Sequence, residues 1–173
     1  FTAMRPVDIE RNAAANLHRN VLFADNAPAT IFTTLESGDP DDLWRWMDKE
    51  RTNGRDVLAI PHNANASNGM MFSLFDAEGK PISREAMARR QRNEPVVEIS
   101  QIKGSSDTRP LFSPDDEWAD FEHYPFLVAS RVKSKDLPGS YVRPTLGLGL
   151  SVADAQGVNP FAFGLIGSSD THI

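Results

Sequence analysis

The chain has 173 residues and a formal net charge of −6 at pH 7, with 24 Asp and Glu against 18 Lys and Arg. This acidic balance argues against a general nucleic-acid binder. A hydrophobic content of 40% is too high for a disordered tail. No apolar run approaches the ~20 residues of a membrane-spanning helix. The chain has no cysteine, which excludes disulfides and thiolate metal sites but leaves the cellular compartment open.

The first half of the chain alternates short apolar runs with helical stretches. Short strands are predicted at 21–23 and 30–32. Asp39, Pro40 and two further acidic residues open a helix that ends near Asn53-Gly54, because an Asp cap followed by proline is typical of a helix start. The next strand is predicted at 57–60, and a second helix runs from about 83 to 92 with a basic exposed face.

The second half continues this alternation. We expect a strand at 95–99 and a third helix that starts at Ser113-Pro114. The stretch 141–157 is ambiguous, because its alternating Leu and Gly residues and Pro144 weaken a helical pattern. A buried strand is expected within 161–167. The alternation predicts an α/β fold, in which functional groups gather at the carboxyl ends of the strands.

Both ends of the sequence resemble the interior of a domain. The first four residues look like part of a strand, and the apolar run 161–167 is followed only by a short polar stretch. A core strand is usually covered by further chain on its other side. We therefore interpret residues 1–173 as one segment of a larger domain, which carries no information on targeting.

Ligand-capable side chains lie at the ends of three predicted strands. They are His62 after the strand at 57–60, Glu98 in the strand at 95–99, and Asp170 with His172 after the last strand. Neutral imidazole and carboxylate groups together suit Zn, Mn or Fe. Taken alone, an Asp-x-His pair is more often part of a surface loop, and a histidine after a strand is more often a hydrogen-bonded structural residue. Their shared position after apolar strands is what favours a common metal site.

Three further residues are candidates for contact with an anionic substrate. His18 and Arg19 directly precede an apolar strand, and a guanidinium can bind an anionic group. Lys103 begins a Lys-Gly-Ser-Ser loop that could hold an oxyanion, although it lacks the spacing of a phosphate-binding P-loop. A histidine that caps the backbone and an ordinary surface loop are the structural alternatives.

Several of these motifs, taken together and in order, resemble the domain-of-unknown-function family 3604 (DUF3604), which is related to the polymerase and histidinol phosphatase (PHP) group of metal-dependent hydrolases. The motifs are Leu-His-Arg-Asn-Val (17–21), Leu-Ala-Ile-Pro-His-Asn-Ala-Asn (58–65), Glu-Pro-Val-Val-Glu-Ile (94–99), Lys-Gly-Ser-Ser (103–106), Gly-Ser-Tyr-Val-Arg (139–143) and the stretch from Asn-Pro-Phe (159–161) to Ser-Ser-Asp-Thr-His (168–172).

The resemblance implies a distorted TIM-like barrel of βα units with two or three Mn, Zn or Fe ions at its mouth. It assigns His62, Asp170 and His172 as metal ligands. The family's glutamate strand falls near residues 7–10, where Asp8 or Glu10 would replace the glutamate, and we favour Asp8. Glu98 matches a strand that supplies another site residue. The His-x-His strand that begins PHP proteins is absent from the sequence, which implies an incomplete barrel.

The function implied is hydrolysis of a small anionic ester, a phosphate or sulfate, by metal-activated water. His18, Arg19 and Lys103 would contact the substrate or protonate the leaving group. We expect the segment alone to be inactive. The alternatives are a non-catalytic binding or scaffold module that has lost its metals, and an amidohydrolase-type deaminase, which the lack of a second histidine cluster disfavours.

Overall fold

A computed structural model describes residues 1–8, 10–11 and 13–170. The order of elements in this part of the chain is β1 (Met4–Asp8), β2 (Ala13–Asn16), β3 (Arg19–Phe23), α1 (Pro40–Thr52), β4 (Val57–Pro61), α2 (Arg84–Asn93), β5 (Val96–Gln101), β6 (Gly104–Ser105), α3 (Val142–Gln156) and β7 (Gly164–Gly167). Short 3-10 turns lie at Ala64–Ala66 and Pro138–Ser140.

The strands form three small sheets rather than a closed barrel. β1 pairs with β2 and β3 with β4, both antiparallel, while β5 lies between β6 and β7. Among the described strands, β5 and β6 are antiparallel, and β5 and β7 are the one parallel pair. A TIM-like barrel needs parallel strands hydrogen-bonded in a continuous ring. The predicted incomplete barrel is therefore wrong, and the described residues form a mixed α/β structure. Three strands precede the first helix, so they do not form βα units.

Two helix starts are confirmed by their caps. The Asp39 carboxylate accepts a hydrogen bond from the Asp41 backbone N–H at 2.9 Å, with Pro40 in the first turn of α1. The Ser83 hydroxyl accepts from the Ala86 N–H at 3.2 Å at the start of α2. Both caps act within a few residues of sequence, which is why the local pattern was sufficient to predict them.

Two other predicted elements are absent, and the ambiguous stretch is a helix. Residues 30–32 do not form a strand, and residues 113–137 contain no regular strand or helix. Residues 142–156 form α3 despite two internal glycines, and Gly157 ends it in the left-handed conformation at φ 69°. Gly149 is explained by packing, because a Cβ there would collide with the Asn159 side chain. Tertiary contact thus accounts for a glycine that weakens helix propensity.

Helix α1 packs on the β3–β4 sheet, and a second core lies around β5 and α3. Leu43 and Met47 are fully buried against Ala59 in the first core. Phe72 and Phe161 meet edge to face at 6.0 Å in the second. β7 was expected to be buried, yet its four residues are exposed, and among the described strands it pairs with β5 alone, at the edge of the sheet. Among the described residues, no helix has the length and apolar character required to cross a bilayer.

Candidate functional site

Two histidines are brought side by side by the register of β3 and β4. Arg19 pairs with Pro61 in this antiparallel ladder, so His18 and His62 occupy the next opposed positions. The His62 backbone N–H donates to the His18 carbonyl at 3.4 Å. Their ring centroids are 5.7 Å apart, with an interplanar angle of 48°. An antiparallel pair of strands therefore brings together residues 44 positions apart in the sequence.

Two buried asparagines hold the backbone at the end of β4. Asn16 Nδ2 donates to the His62 carbonyl at 2.7 Å and to the Asn63 carbonyl at 3.2 Å. Asn63 Nδ2 lies 3.2 Å from His62 Nδ1. Both asparagines are at most 2% exposed. The position of the His62 ring is thus fixed from the backbone side and from one ring nitrogen.

A buried carboxyl group lies near Asn63. Glu98 is 4% exposed in β5. Burial raises the pKa of its carboxyl group, because desolvation disfavours the charged form. The nearby Ser168, Gln101 and Lys103 side chains and the Asn63 backbone oppose that rise in pKa. The Glu98 carboxyl group therefore lies in the neighbourhood of Asn63, the residue that follows His62.

The parallel strands β5 and β7 bring a third set of groups to the same end. The Ser168 backbone N–H donates to the Ser100 carbonyl at 3.0 Å, which continues the pairing beyond β7. Lys103 and Asp170, which follow the two strands, form a half-buried ion pair. The expected convergence of polar groups at the carboxyl ends of strands thus holds for these two residues.

Burial lowers the pKa of both imidazoles, which favours their neutral form. Burial, together with the nearby charges of His18 and Lys103, lowers the pKa of His62 to about 4. Burial is also the main cause of the lowered pKa of His18, with Arg19 and Lys103 contributing. A neutral imidazole has a nitrogen lone pair available to a metal ion or a proton. Because the Lys103 charge contributes to the lowered pKa of both histidines, Lys103 lies in their neighbourhood.

Buried polar atoms without hydrogen-bond partners are concentrated around the histidines. Within the described part of the chain, such atoms include Asn16 Oδ1, His18 Nε2, Asn63 Oδ1 and Glu98 Oε1, and others lie at Gln101, Arg109 and Thr145. Each unsatisfied buried group costs about 1–3 kcal/mol, so native structures contain few of them. A local concentration is explained when the atoms bind a ligand, an ion or ordered water.

The chemistry of these donors fits a divalent metal, although their arrangement does not complete a site. Imidazole nitrogen, carboxylate and amide oxygen suit Zn, Mn or Fe. However, no three His, Asp or Glu side chains in residues 1–8, 10–11 and 13–170 are arranged to hold one ion. The predicted ligand His172 lies outside the described residues. His18 Nε2 and Glu98 Oε1 are ligand-type atoms that are buried without a hydrogen-bond partner among the described residues.

The residues expected to replace the family glutamate lie away from the histidines. Asp8 is at the far end of the β1–β2 hairpin and accepts a hydrogen bond from the Arg11 backbone N–H at 3.0 Å. It pairs with Ala13, three residues along β2 from Asn16, which corresponds to about 10 Å. Glu10 is exposed in the same turn. The described contacts therefore do not bring Asp8 or Glu10 to His62.

Arg19, a candidate for substrate contact, is bound instead within the core. Its Nε donates to Glu94 Oε1 at 2.8 Å, and its Nη1 donates to the Leu17 carbonyl at 2.7 Å. The side chains of Arg19 and Glu94 are each 1% exposed. Glu94 is therefore a structural partner of Arg19, and the Arg19 guanidinium is not available to a substrate.

Asn16 is a site residue that the sequence interpretation missed. It is the polar member of the mostly apolar run 13–17 and precedes His18 by two residues. Residues two apart in an extended segment point to the same side. A polar residue at that spacing from a candidate histidine was the available signal.

The described fold and site are those of a small mixed α/β structure with a polar site where its strands end. Residues 8–173 match the family model described as "Protein of unknown function (DUF3604)". The chain therefore belongs to this family, as its motifs predicted. No curated protein and no solved structure shows significant similarity to it.

Proposed function

We propose that these residues form part of the active site of a metal-dependent hydrolase that acts on phosphate, sulfate or related esters and is related to the PHP group. The observation that supports it is the His18–His62 pair, with ring centroids 5.7 Å apart, together with the buried atoms His18 Nε2 and Glu98 Oε1, which have no hydrogen-bond partner among the described residues. Neutral imidazoles and a carboxylate are the ligand types that hydrolytic metal sites use.

His18 Nε2 and Glu98 Oε1 would hold a metal ion, and His62, Asp170 and His172 would supply further ligands. A bound Mn, Zn or Fe ion supplies Lewis acidity and a water molecule of lowered pKa. Burial of Glu98 makes its charged form unfavourable in the absence of a cation, so a cation offsets that cost. The same burial excludes bulk water from the donor atoms.

Lys103 would bind the anionic group of the ester. Its ammonium group is a point charge suited to phosphate or sulfate oxygens. It lies near both imidazoles and is paired with Asp170. An incoming anion would compete with Asp170 for this cation, while Asp170 becomes available as a ligand.

Metal binding provides the first test. The chain is dialysed against Mn, Zn or Fe(II), and the bound metal is measured by elemental analysis. We expect His18→Ala and Glu98→Gln to weaken binding by at least about tenfold. The matched controls are His123→Ala and Glu117→Gln, which change exposed residues outside the site. Equal metal binding by all four variants would overturn the assignment of His18 and Glu98.

Hydrolysis is tested in the natural protein that contains these residues, with 4-nitrophenyl phosphate and 4-nitrophenyl sulfate as substrates. We expect kcat/KM to fall by about 10²-fold or more in His18→Ala, and His123→Ala to match the wild type. Unchanged turnover in His18→Ala would remove this residue from the mechanism.

A non-catalytic anion-binding module is the second candidate. It is favoured by the absence, among the described residues, of three side chains arranged around one ion. In that case phosphate or sulfate would bind in a Lys103-dependent manner, and metal-supplemented protein would hydrolyse neither ester. Calorimetry with inorganic phosphate, on wild type and Lys103→Ala, together with the hydrolysis assay, separates the two candidates.

A further inference from the structure

Asn63, directly after His62, has a backbone conformation that few residues other than glycine adopt. It has φ 52° and ψ 42°, the left-handed region, at the start of the 3-10 turn Ala64–Ala66. Asparagine tolerates this conformation better than most residues other than glycine. Its carbonyl accepts from Asn16 Nδ2 and from the Ala66 N–H, and it is 2% exposed. The backbone of Asn63, from which the side-chain amide extends, is therefore fixed.

That amide contacts Nδ1 of His62, and a hydrogen bond at this nitrogen influences which tautomer the ring adopts. The Asn63 Nδ2 donor lies 3.2 Å from His62 Nδ1, and Asn63 Oδ1 has no partner among the described residues. A neutral imidazole has one proton, so a donor at Nδ1 places the ring proton on Nε2. Rotation of the amide by 180° would present Oδ1 instead, which accepts from Nδ1–H and leaves a lone pair on Nε2.

We infer that Asn63 is a positioning residue that sets the tautomer of His62, donating to Nδ1 in the metal-free chain and accepting from it when Nε2 is a ligand. The inference deepens the proposed function and rests on it for the metal-bound state. Because Oδ1 has no other hydrogen bond among the described residues, turning the amide breaks no further contact of that oxygen. Metal-ligating histidines are commonly oriented through their second ring nitrogen in this way.

Substitutions at position 63 separate the side chain's role from its backbone conformation. Asn63→Gly removes the amide while keeping a residue that accepts positive φ. Asn63→Asp replaces the amide by a group that only accepts hydrogen bonds when ionised. Asn68→Gly is the matched control, because Asn68 also has a positive φ, of 50°, and its side chain contacts Ser134 and Lys135 rather than a histidine.

The tautomer is measured in the metal-free chain by two-bond ¹H–¹⁵N NMR of the imidazole rings, at about pH 8.5, above the ordinary histidine range. We expect His62 to be protonated on Nε2 in the wild type and in Asn68→Gly, and on Nδ1 in Asn63→Asp. An unchanged His62 tautomer in Asn63→Asp, with the amide-proton spectrum of a folded chain, would overturn the inference. This measurement requires no metal, so it decides the role of Asn63 even where the proposed hydrolase function fails.

Metal affinity is the second measurement. We expect Asn63→Gly to weaken Mn or Zn binding by about 10–100-fold and Asn63→Asp to retain or increase it. Asn68→Gly should match the wild type within about twofold. Equal affinities in Asn63→Gly and the wild type would contradict the ligand-orienting role. Failure of the wild type to bind metal would overturn the proposed function and the metal-bound half of the inference, and leave the tautomer result standing.

Discussion

Two neighbouring residues, His18 and Arg19, lead into two differently organised polar clusters. Around Arg19, both oxygens of Glu94 are bound: Oε1 accepts from Arg19 and from Trp44 Nε1, and Oε2 accepts from Arg90. The Arg90 guanidinium also lies over aromatic rings, including Phe161 at 4.8 Å. Around His18, buried donor and acceptor atoms lack protein partners.

Buried polar groups in this protein are of two kinds: those whose hydrogen bonds are satisfied within the fold, and those left available to a ligand. A buried charge is tolerated when hydrogen bonds and an opposite charge satisfy it. The Arg19–Glu94–Arg90 cluster meets this condition, so we interpret it as part of the scaffold. The histidine cluster does not meet it without a ligand, an ion or water. The four predictions below test this difference, from the largest expected effect to the smallest.

Glu94→Gln should cause the largest loss of stability. It leaves two buried guanidinium groups without their carboxylate, and breaking a buried ion pair costs about 3–5 kcal/mol. Urea denaturation measures the free energy of unfolding. A loss below about 1 kcal/mol would mean that the cluster is not essential to the scaffold.

Acid should destabilise the metal-free chain through His62. Its folded-state pKa, about 4, lies below the ordinary unfolded value of 6.5, so the unfolded chain binds more protons between these values. Stability is therefore full above pH 6.5 and falls by about 1–3 kcal/mol as the pH approaches 4. His62→Gln should flatten this part of the stability profile, measured by denaturation at each pH. An equally steep profile in this variant would assign the acid sensitivity to other groups.

Glu98→Gln should be neutral or stabilising by up to about 1 kcal/mol in the metal-free chain, in contrast to Glu94→Gln. Burial raises the folded-state pKa of Glu98, so its ionisation opposes folding as the pH rises above the unfolded value. The same denaturation assay measures the change. A loss comparable to that of Glu94→Gln would remove the distinction between the two clusters.

Arg45→Ala should have the smallest effect. Arg45 donates to Asp41 at 2.7 Å, but its side chain is 61% exposed, and such pairs contribute about 0.3–0.5 kcal/mol. Asp41 also keeps its bonds to Arg89. A change above about 1 kcal/mol would show that exposed pairs contribute to this fold as buried ones do.

The site was predictable where local sequence and one strand pairing sufficed. His62 was expected directly after a strand and Lys103 in a loop, and His62 follows β4 while Lys103 lies between β5 and β6. Asn16 was missed because its role depends on a hydrogen bond to a residue 46 positions away. Arg19 was assigned to the substrate because its partner, Glu94, is 75 positions distant and only packing reveals it.

The sequence by itself determined the helix starts at Asp39 and Ser83, the positions of most strands and the family, because caps and apolar runs act over a few residues. Only the tertiary structure decided that the described strands form three small sheets instead of a barrel, and that His18 and Arg19 enter different clusters. Strand pairing and the pairing of buried charges depend on contacts between segments that are distant in the sequence. A local sequence pattern therefore cannot predict them.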